Sequence, residues 1–184
     1  MRSGEAVCAL LDALASAGFA HMVTGGLVAN AYGIVRSTQD ADIVVQMEGG
    51  DFAAFARALP PALVLDQQIS FETITGSRRQ IVEVTGSPFR IELFFLSTDL
   101  HHQERFRRRI WKYLPDLERD AWIATAEDMV IQKVRWNRDK DRDDARNILA
   151  VQGDALDFPY IERWCDEHGT RNRLEDLRRS IPPI

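Results

Sequence analysis

Two aspartates at the head of an apolar run, Asp40-Ala41-Asp42-Ile43-Val44-Val45, constrain this chain more than any other feature. Side chains alternate between faces along a strand, so Asp40 and Asp42 project from one face while Ala41, Ile43 and Val45 point into a core. Adjacent carboxylates repel one another unless a cation neutralises them, and convergent hard oxygen ligands suit Mg²⁺. Upstream, Phe19 to Val23 is a short apolar run ending in Thr24-Gly25-Gly26, after which Leu27 to Tyr32 reads as helix up to Gly33. A glycine turn between strand and helix lets backbone amides approach a phosphate unobstructed, and the helix N-terminus adds partial positive charge. Each feature alone also has a plain structural reading, a tight connection for the glycines and a solvated strand end for the acids.

Glu92 links them. It lies inside Arg90-Ile91-Glu92-Leu93-Phe94-Phe95-Leu96, an apolar strand in which an ionised side chain is costly to bury without a partner. Either an arginine pairs with it or strand pairing brings it beside Asp40 and Asp42 as a third carboxylate. Three carboxylates can hold one or two Mg²⁺ ions, which bind triphosphate oxygens and stabilise a leaving pyrophosphate.

The rest of the chain divides by pattern. Residues 5–17 carry Val7, Leu10, Leu11 and Leu14 at helical spacing before Gly18. Residues 52–59 read as a helix stopped by Pro60-Pro61. Short strands are expected at 63–65, 71–74, 81–84 and 89–96, with antiparallel pairing across their short turns. From Asp99 onward the pattern is helical, with Trp122-Ile123-Ala124 as an edge strand. Thr125-Ala126-Glu127-Asp128 reads as a variant capping box. Arg105-Phe106-Arg107-Arg108-Arg109-Ile110-Trp111-Lys112 is either a solvated helix face anchored by Phe106 and Ile110 or a surface that meets an RNA backbone and stacks on a base. His101-His102 lacks further ligands at metal-binding spacing.

At 184 residues and 45% hydrophobic, the chain can bury a sizeable core. A net charge of −5 means that any polyanion must be met by a local patch. Cys8 and Cys165 each sit in an apolar helical pattern, as expected of free thiols in a reducing compartment. No stretch reaches the roughly 18 apolar residues of a membrane span, and the N-terminal segment lacks an uninterrupted hydrophobic core for a signal peptide. The expected location is the cytoplasm, with no membrane partner.

Val23-Thr24-Gly25-Gly26, thirteen intervening residues and Asp40-Ala41-Asp42-Ile43 together resemble the glycine turn and Asp-x-Asp signature of the polymerase-β-like nucleotidyltransferase superfamily. The segment from Ala31 to Asp42 is similar to its minimal bacterial members, including abortive-infection toxins of the AbiEii type. Glu127-Asp128-Met129-Val130-Ile131-Gln132-Lys133 resembles their helix with an inward lysine, and Lys140-Asp141-Arg142-Asp143-Asp144 their acidic helix start. The resemblance implies an α+β fold, a nucleotidyltransferase-like mixed or antiparallel sheet flanked by helices. With the change of pattern at Asp99, the nucleotidyltransferase core is expected in residues 1–98 and a mainly helical C-terminal part, packed on that core, in residues 99–184.

The resemblance also implies Mg²⁺-dependent transfer of a nucleoside monophosphate from an NTP such as ATP. The acceptor is a tRNA or other RNA, a protein or a small molecule, and a toxin role would bring an antitoxin partner. By the same resemblance Thr24, Gly25 and Gly26 cradle the triphosphate, with Arg36 and Lys133 as further nucleotide-binding residues. Asp40, Asp42 and Glu92 form the metal site, and Asp141 orients or deprotonates the acceptor hydroxyl. Gly26 stands where many relatives have serine, which removes a hydroxyl but leaves the backbone amides. The competing reading is a non-catalytic nucleotide-sensing or partner-binding module of the same fold.

Overall fold

The computed structural model describes residues 1–181. In chain order its elements are α1 (Ser3–Ser16), β1 (His21–Thr24), α2 (Gly25–Tyr32), β2 (Asp40–Val45), α3 (Phe52–Ala58), β3 (Leu63–Glu72), β4 (Ser77–Val84) and β5 (Arg90–Phe95). There follow α4 (Leu100–Arg107), β6 (Ile110–Leu114), β7 (Arg119–Ile123), α5 (Ala126–Trp136), α6 (Asp139–Gln152), α7 (Phe158–Glu167) and α8 (Arg171–Arg179). The strands form one mixed sheet in the order β3-β4-β5-β2-β1-β7-β6. The β2–β5 and β1–β7 pairs are parallel and the others antiparallel.

Strand alternation sorts the side chains onto two covered faces. On one, Val45, Leu93 and Phe95 meet Leu14 of α1 and Phe55 of α3 around a small apolar gap. On the other, the Thr24 hydroxyl donates to the Met129 Sδ of α5 at 3.3 Å, and Met22, Val44 and Phe94 are buried there. Asp42 and Glu92 project from this second face, at the end of β2 and β5 that α5 and α6 leave open.

The fold departs from the sequence pattern in four places. Residues 63–65 and 71–74 belong to one long strand, β3, whose register against β4 shifts between Leu65 and Ile69. The irregularity absorbs the polar Asp66-Gln67-Gln68 without ending the pairing. The basic run does not form one helix: α4 ends at Arg107 and β6 begins at Ile110. Ile110-Trp111-Lys112-Tyr113 is β-branched and aromatic, and it pairs residue for residue with β7, which outweighs helical spacing. The sheet therefore continues through residues 110–123, across the boundary expected at 98. Asp128 does not close a capping box; Thr125 caps α5 alone, while the Asp128 carboxylate accepts hydrogen bonds from Thr125, Tyr160 and His101. No helix among the described residues is long and apolar enough to cross a membrane.

Candidate active site

Register builds the site. Antiparallel pairing sets Thr24 opposite Asp42, and parallel pairing sets Asp42 opposite Glu92 and Asp40 opposite Arg90. Directly paired residues share a face, so Thr24, Asp42 and Glu92 form one row across the three central strands. The row opens into a cleft of about 270 Å³ lined by Asp40, Asp42, Glu72, Arg79, Glu92 and Phe94 together with Trp136, Arg138 and Lys140. The last three come from the end of α5 and the start of α6, so the helical half supplies one wall. Asn137 ends α5 at φ 56°, a left-handed stop that turns the chain so sharply that Trp136 and Arg138 face the same space.

The two glycines are set by the aspartate and by its loop. Gly25 has φ +68°, and a Cβ there would fall 1.7 Å from Asp42 Oδ2. At Gly26 a Cβ would fall 2.7 Å from the Thr38 hydroxyl. Thr38 in turn donates to Asp40 Oδ1 at 2.9 Å. The turn is thus shaped around the carboxylates as well as toward any phosphate. Thr24 contributes only backbone toward the cleft, because its hydroxyl is turned to Met129. Gly25→Ala is expected to destabilise the fold by about 1 to 3 kcal/mol, through positive φ and the displaced carboxylate. A denaturant melt checks the stability, and Mg²⁺-dependent nucleotide binding should fall with it.

The cleft is short of positive charge where the acids meet. Burial pushes the Asp42 carboxyl up to about 7, Asp40 and Glu92 push it in the same direction, and Lys133 and Lys140 oppose them. Glu92 meets the arginine that its sequence context allows: Arg79 Nη1 lies 3.0 Å from Glu92 Oε2. Among the described residues no three His, Cys, Asp or Glu side chains stand gathered as a ready-made metal cage. Glu92 is drawn to Arg79 and Asp40 to Thr38. The donor set nonetheless fits a hard divalent cation, because all three groups offer carboxylate oxygens on one face and their mutual repulsion raises the proton affinity of the central one.

The other expected site residues form a layer behind the cleft. Lys133 Nζ lies 3.0 Å from Asp141 Oδ1 and 2.8 Å from Asp144 Oδ2, with its side chain 4% exposed and that of Asp141 fully enclosed. Arg36 grips Asp144 with two bonds of 2.7 and 2.8 Å, and Arg138 pairs with Asp141. Lys133 and Arg36 therefore direct their charge at helix α6 and not at an open phosphate site. Asp141 is likewise held by two cations and does not line the cleft. Asp144 is the residue that organises this layer, although in the sequence it stands out only as part of an acidic helix start. Arg79, Trp136 and Arg138 carry no motif, and Lys140 enters only as the residue that precedes the acidic helix start. For Arg138 and Lys140 the legible signal is the polar joint Asn137-Arg138-Asp139-Lys140 between two amphipathic helices; Arg79 has none.

No protein-family model matches the chain, and no curated protein matches its sequence. Solved structures do. The antibiotic-resistance factor ANT(2'')-Ia, known as a solution structure, matches with a TM-score of 0.59 at 10% identity, over 96% of this chain and 96% of its own. An antigenic nucleotidyltransferase-like protein from Paracoccidioides brasiliensis matches over 99% and 94% of the two chains, at 14% identity and a TM-score of 0.49. JHP933 from Helicobacter pylori matches over 96% and 93%, at 14% identity and a TM-score of 0.45. The chain has a mixed α+β nucleotidyltransferase fold, and at these identities the likeness concerns the fold.

Proposed function

We propose that the chain transfers a nucleoside monophosphate from an NTP, ATP among them, to an acceptor, using Mg²⁺ held by Asp40, Asp42 and Glu92. The observation that carries this reading is the Asp42–Glu92 pair at the mouth of a cleft whose opposite wall is cationic and aromatic. Bound there, the metal would neutralise the acids, acidify the acceptor hydroxyl and stabilise the departing pyrophosphate. The chain's own groups do the rest. Arg138 and Lys140 supply positive charge for the triphosphate, and the amides at Gly25 and Gly26 offer donors beside Asp42. Arg79, which now pairs with Glu92, would be placed to meet a phosphate oxygen if that carboxylate held a cation instead. Trp136 supports a nucleotide from the α5 side: its indole N–H is buried without a partner among the described residues. Such a group is costly unless something arrives to accept from it.

The acceptor is a tRNA, a protein side chain or a small molecule. A fold shared with an antibiotic-resistance factor supports the small molecule, and the likeness of residues 31–42 to AbiEii-type toxins supports a toxin held in check by an antitoxin. Calorimetric titration with ATP, GTP, CTP and UTP, with and without Mg²⁺, tests the nucleotide half of the reading. Binding of no nucleotide in the presence of Mg²⁺ would overturn it. Incubation with labelled NTPs and either total RNA or total protein then reads the acceptor. Binding without transfer to any acceptor would favour the nucleotide-sensing module.

A further inference from the structure

The two edge strands of the sheet differ in what they offer. β3 is broken by the register shift between Leu65 and Ile69, and an irregular edge discourages further pairing. β6 pairs residue for residue with β7, and among the described residues no backbone hydrogen bond engages its outer side. Strand alternation puts Arg109, Trp111 and Tyr113 on one face of this edge, with Trp122 beside Trp111 and Asp120 beside Tyr113 on β7. Lys112 points to the other face, where its ammonium lies 4.4 Å from the Tyr32 centroid. Trp111 is 55% exposed, Tyr113 53% and Trp122 39%, and the two indoles meet edge to face with centroids 5.4 Å apart. A contiguous aromatic patch of this kind marks an interaction surface. Its charges sit at opposite ends. The Arg109 guanidinium, 5.3 Å from the Trp122 centroid, stands at one end and Asp120 at the other. Neither makes an ion pair among the described residues, whereas the adjoining Arg108 and Arg119 are both paired with acids.

We infer that this edge is a contact between two copies of the chain, joined by antiparallel pairing of β6 with β6 and centred on Trp111. Across a two-fold axis each copy meets the same patch on the other, so the patch must complement itself. About Trp111 it does. Arg109 opposes Tyr113 of the second copy, with Asp120 one strand further on, and the two Trp111 rings stand side by side. From Arg109 to that Asp120 is two strand spacings, about 10 Å. The arginine spans it by leaving its own Trp122 for the ring of Tyr113, one cation–π contact exchanged for another, and ends on an unpaired carboxylate. On the opposite face Ile110 meets Lys112, so no like charges are opposed. Neighbouring registers lack this fit. Centring on Lys112 sets lysine on lysine, centring on Ile110 sets Lys112 on Arg108, and like charges directly opposite are destabilising. Centring on Tyr113 brings Pro115, which has no N–H, into the ladder. The exposed rings offer on the order of 300 Å² per copy, below the roughly 800 Å² of a standard interface, so the dimer is weak, with a micromolar Kd. The contact is independent of the nucleotidyl-transfer reading.

Sedimentation equilibrium of the full chain from about 1 to about 200 μM tests the inference. A reversible monomer–dimer equilibrium is expected. Arg109→Asp and Asp120→Arg should each weaken it about tenfold or more, because each sets like charges against one another across the axis. Combining the two in one chain, or mixing the two single variants, should restore it, which neither lost folding nor general stickiness would do. In this register position 111 faces itself, whereas position 113 lies about 14 Å from its counterpart. Trp111→Cys should therefore form a disulfide-linked dimer on oxidation, and Tyr113→Cys, which carries the same Cys8 and Cys165, should not. The inference is overturned if wild type stays monomeric throughout this range, which would leave the edge to a different partner. It is equally overturned if either reversal dimerises as tightly as wild type, or if the combined variant fails to regain the dimer.

Discussion

Asp42→Asn is expected to abolish Mg²⁺-dependent nucleotide binding, to lower transfer by about 10³-fold or more, and to make the metal-free protein more stable at pH 8. The two halves of that result have one cause. Asp42 is the carboxylate on which the burial of the row and the charges of Asp40 and Glu92 converge, so its folded-state value rises from 3.8 to about 7. A carboxyl raised in this way binds its proton more tightly when folded. Its contribution favours folding at acid pH and is lost as pH climbs through about 7. Above that, ionised Asp42 costs up to roughly 4 kcal/mol, since a tenfold change in proton affinity corresponds to about 1.4 kcal/mol. For a chain of this size that corresponds to about 8 to 16 °C in Tm. Asparagine keeps the shape and removes the charge. Differential scanning calorimetry without metal should show the variant melting above wild type at pH 8, with the gap narrowing as pH falls through 7 and closing only near pH 4, below which Asp42 is protonated folded and unfolded alike. Mg²⁺ should raise the wild-type melt at pH 8 and leave the variant unmoved. A variant no more stable than wild type at pH 8 would sink the electrostatic account, and one that still binds nucleotide with Mg²⁺ would remove Asp42 from the site.

That the row exists could be read from Asp40, Asp42 and Glu92 because strand alternation is a local rule: an acid in an apolar run must surface on a face, and the face follows from the spacing. The partners of those acids were not legible, because they depend on register. Nothing in Arg79 marks it as the residue one strand over that reaches Glu92, and β3 and β4 had to be extended beyond their apolar segments before that register existed. The same limit applies to Arg36, Lys133 and Asp141. Their motif positions point toward a site, yet the choice between phosphate and carboxylate is made by what α6 brings alongside α5. Helical spacing misled at Ile110–Leu114, where the partner strand β7 decided the outcome and left the aromatic rings on an open edge.

Lys133→Met is expected to lower Tm by about 6 to 12 °C, the consequence of losing about 3 kcal/mol from a buried ion network. Lys133 touches two enclosed carboxylates, Asp141 and Asp144, and removal of one partner from a buried pair leaves charge without compensation. The loss is held toward the low end of the usual range because each acid keeps a second cation, Arg138 for Asp141 and Arg36 for Asp144. Burial alone would raise the Asp144 carboxyl, but its hydrogen bonds from Arg36 and Lys133 outweigh that and hold it below the ordinary carboxylate range. A carboxyl lowered in this way favours folding above its unfolded value near 4, and that contribution disappears as pH falls through the folded value. Wild type should therefore show an acid limb in its stability below about pH 4, and Lys133→Met should flatten it. The same network ties the loop bearing Arg36 to α6, and that loop leads straight into Asp40, so the cleft should loosen as the helices do. A phosphate-binding lysine would behave in the opposite way. If Lys133→Met melts like wild type but loses nucleotide affinity, the lysine faces the nucleotide after all; if the melt falls and the acid limb flattens, its charge serves to join the helices that form the cationic wall.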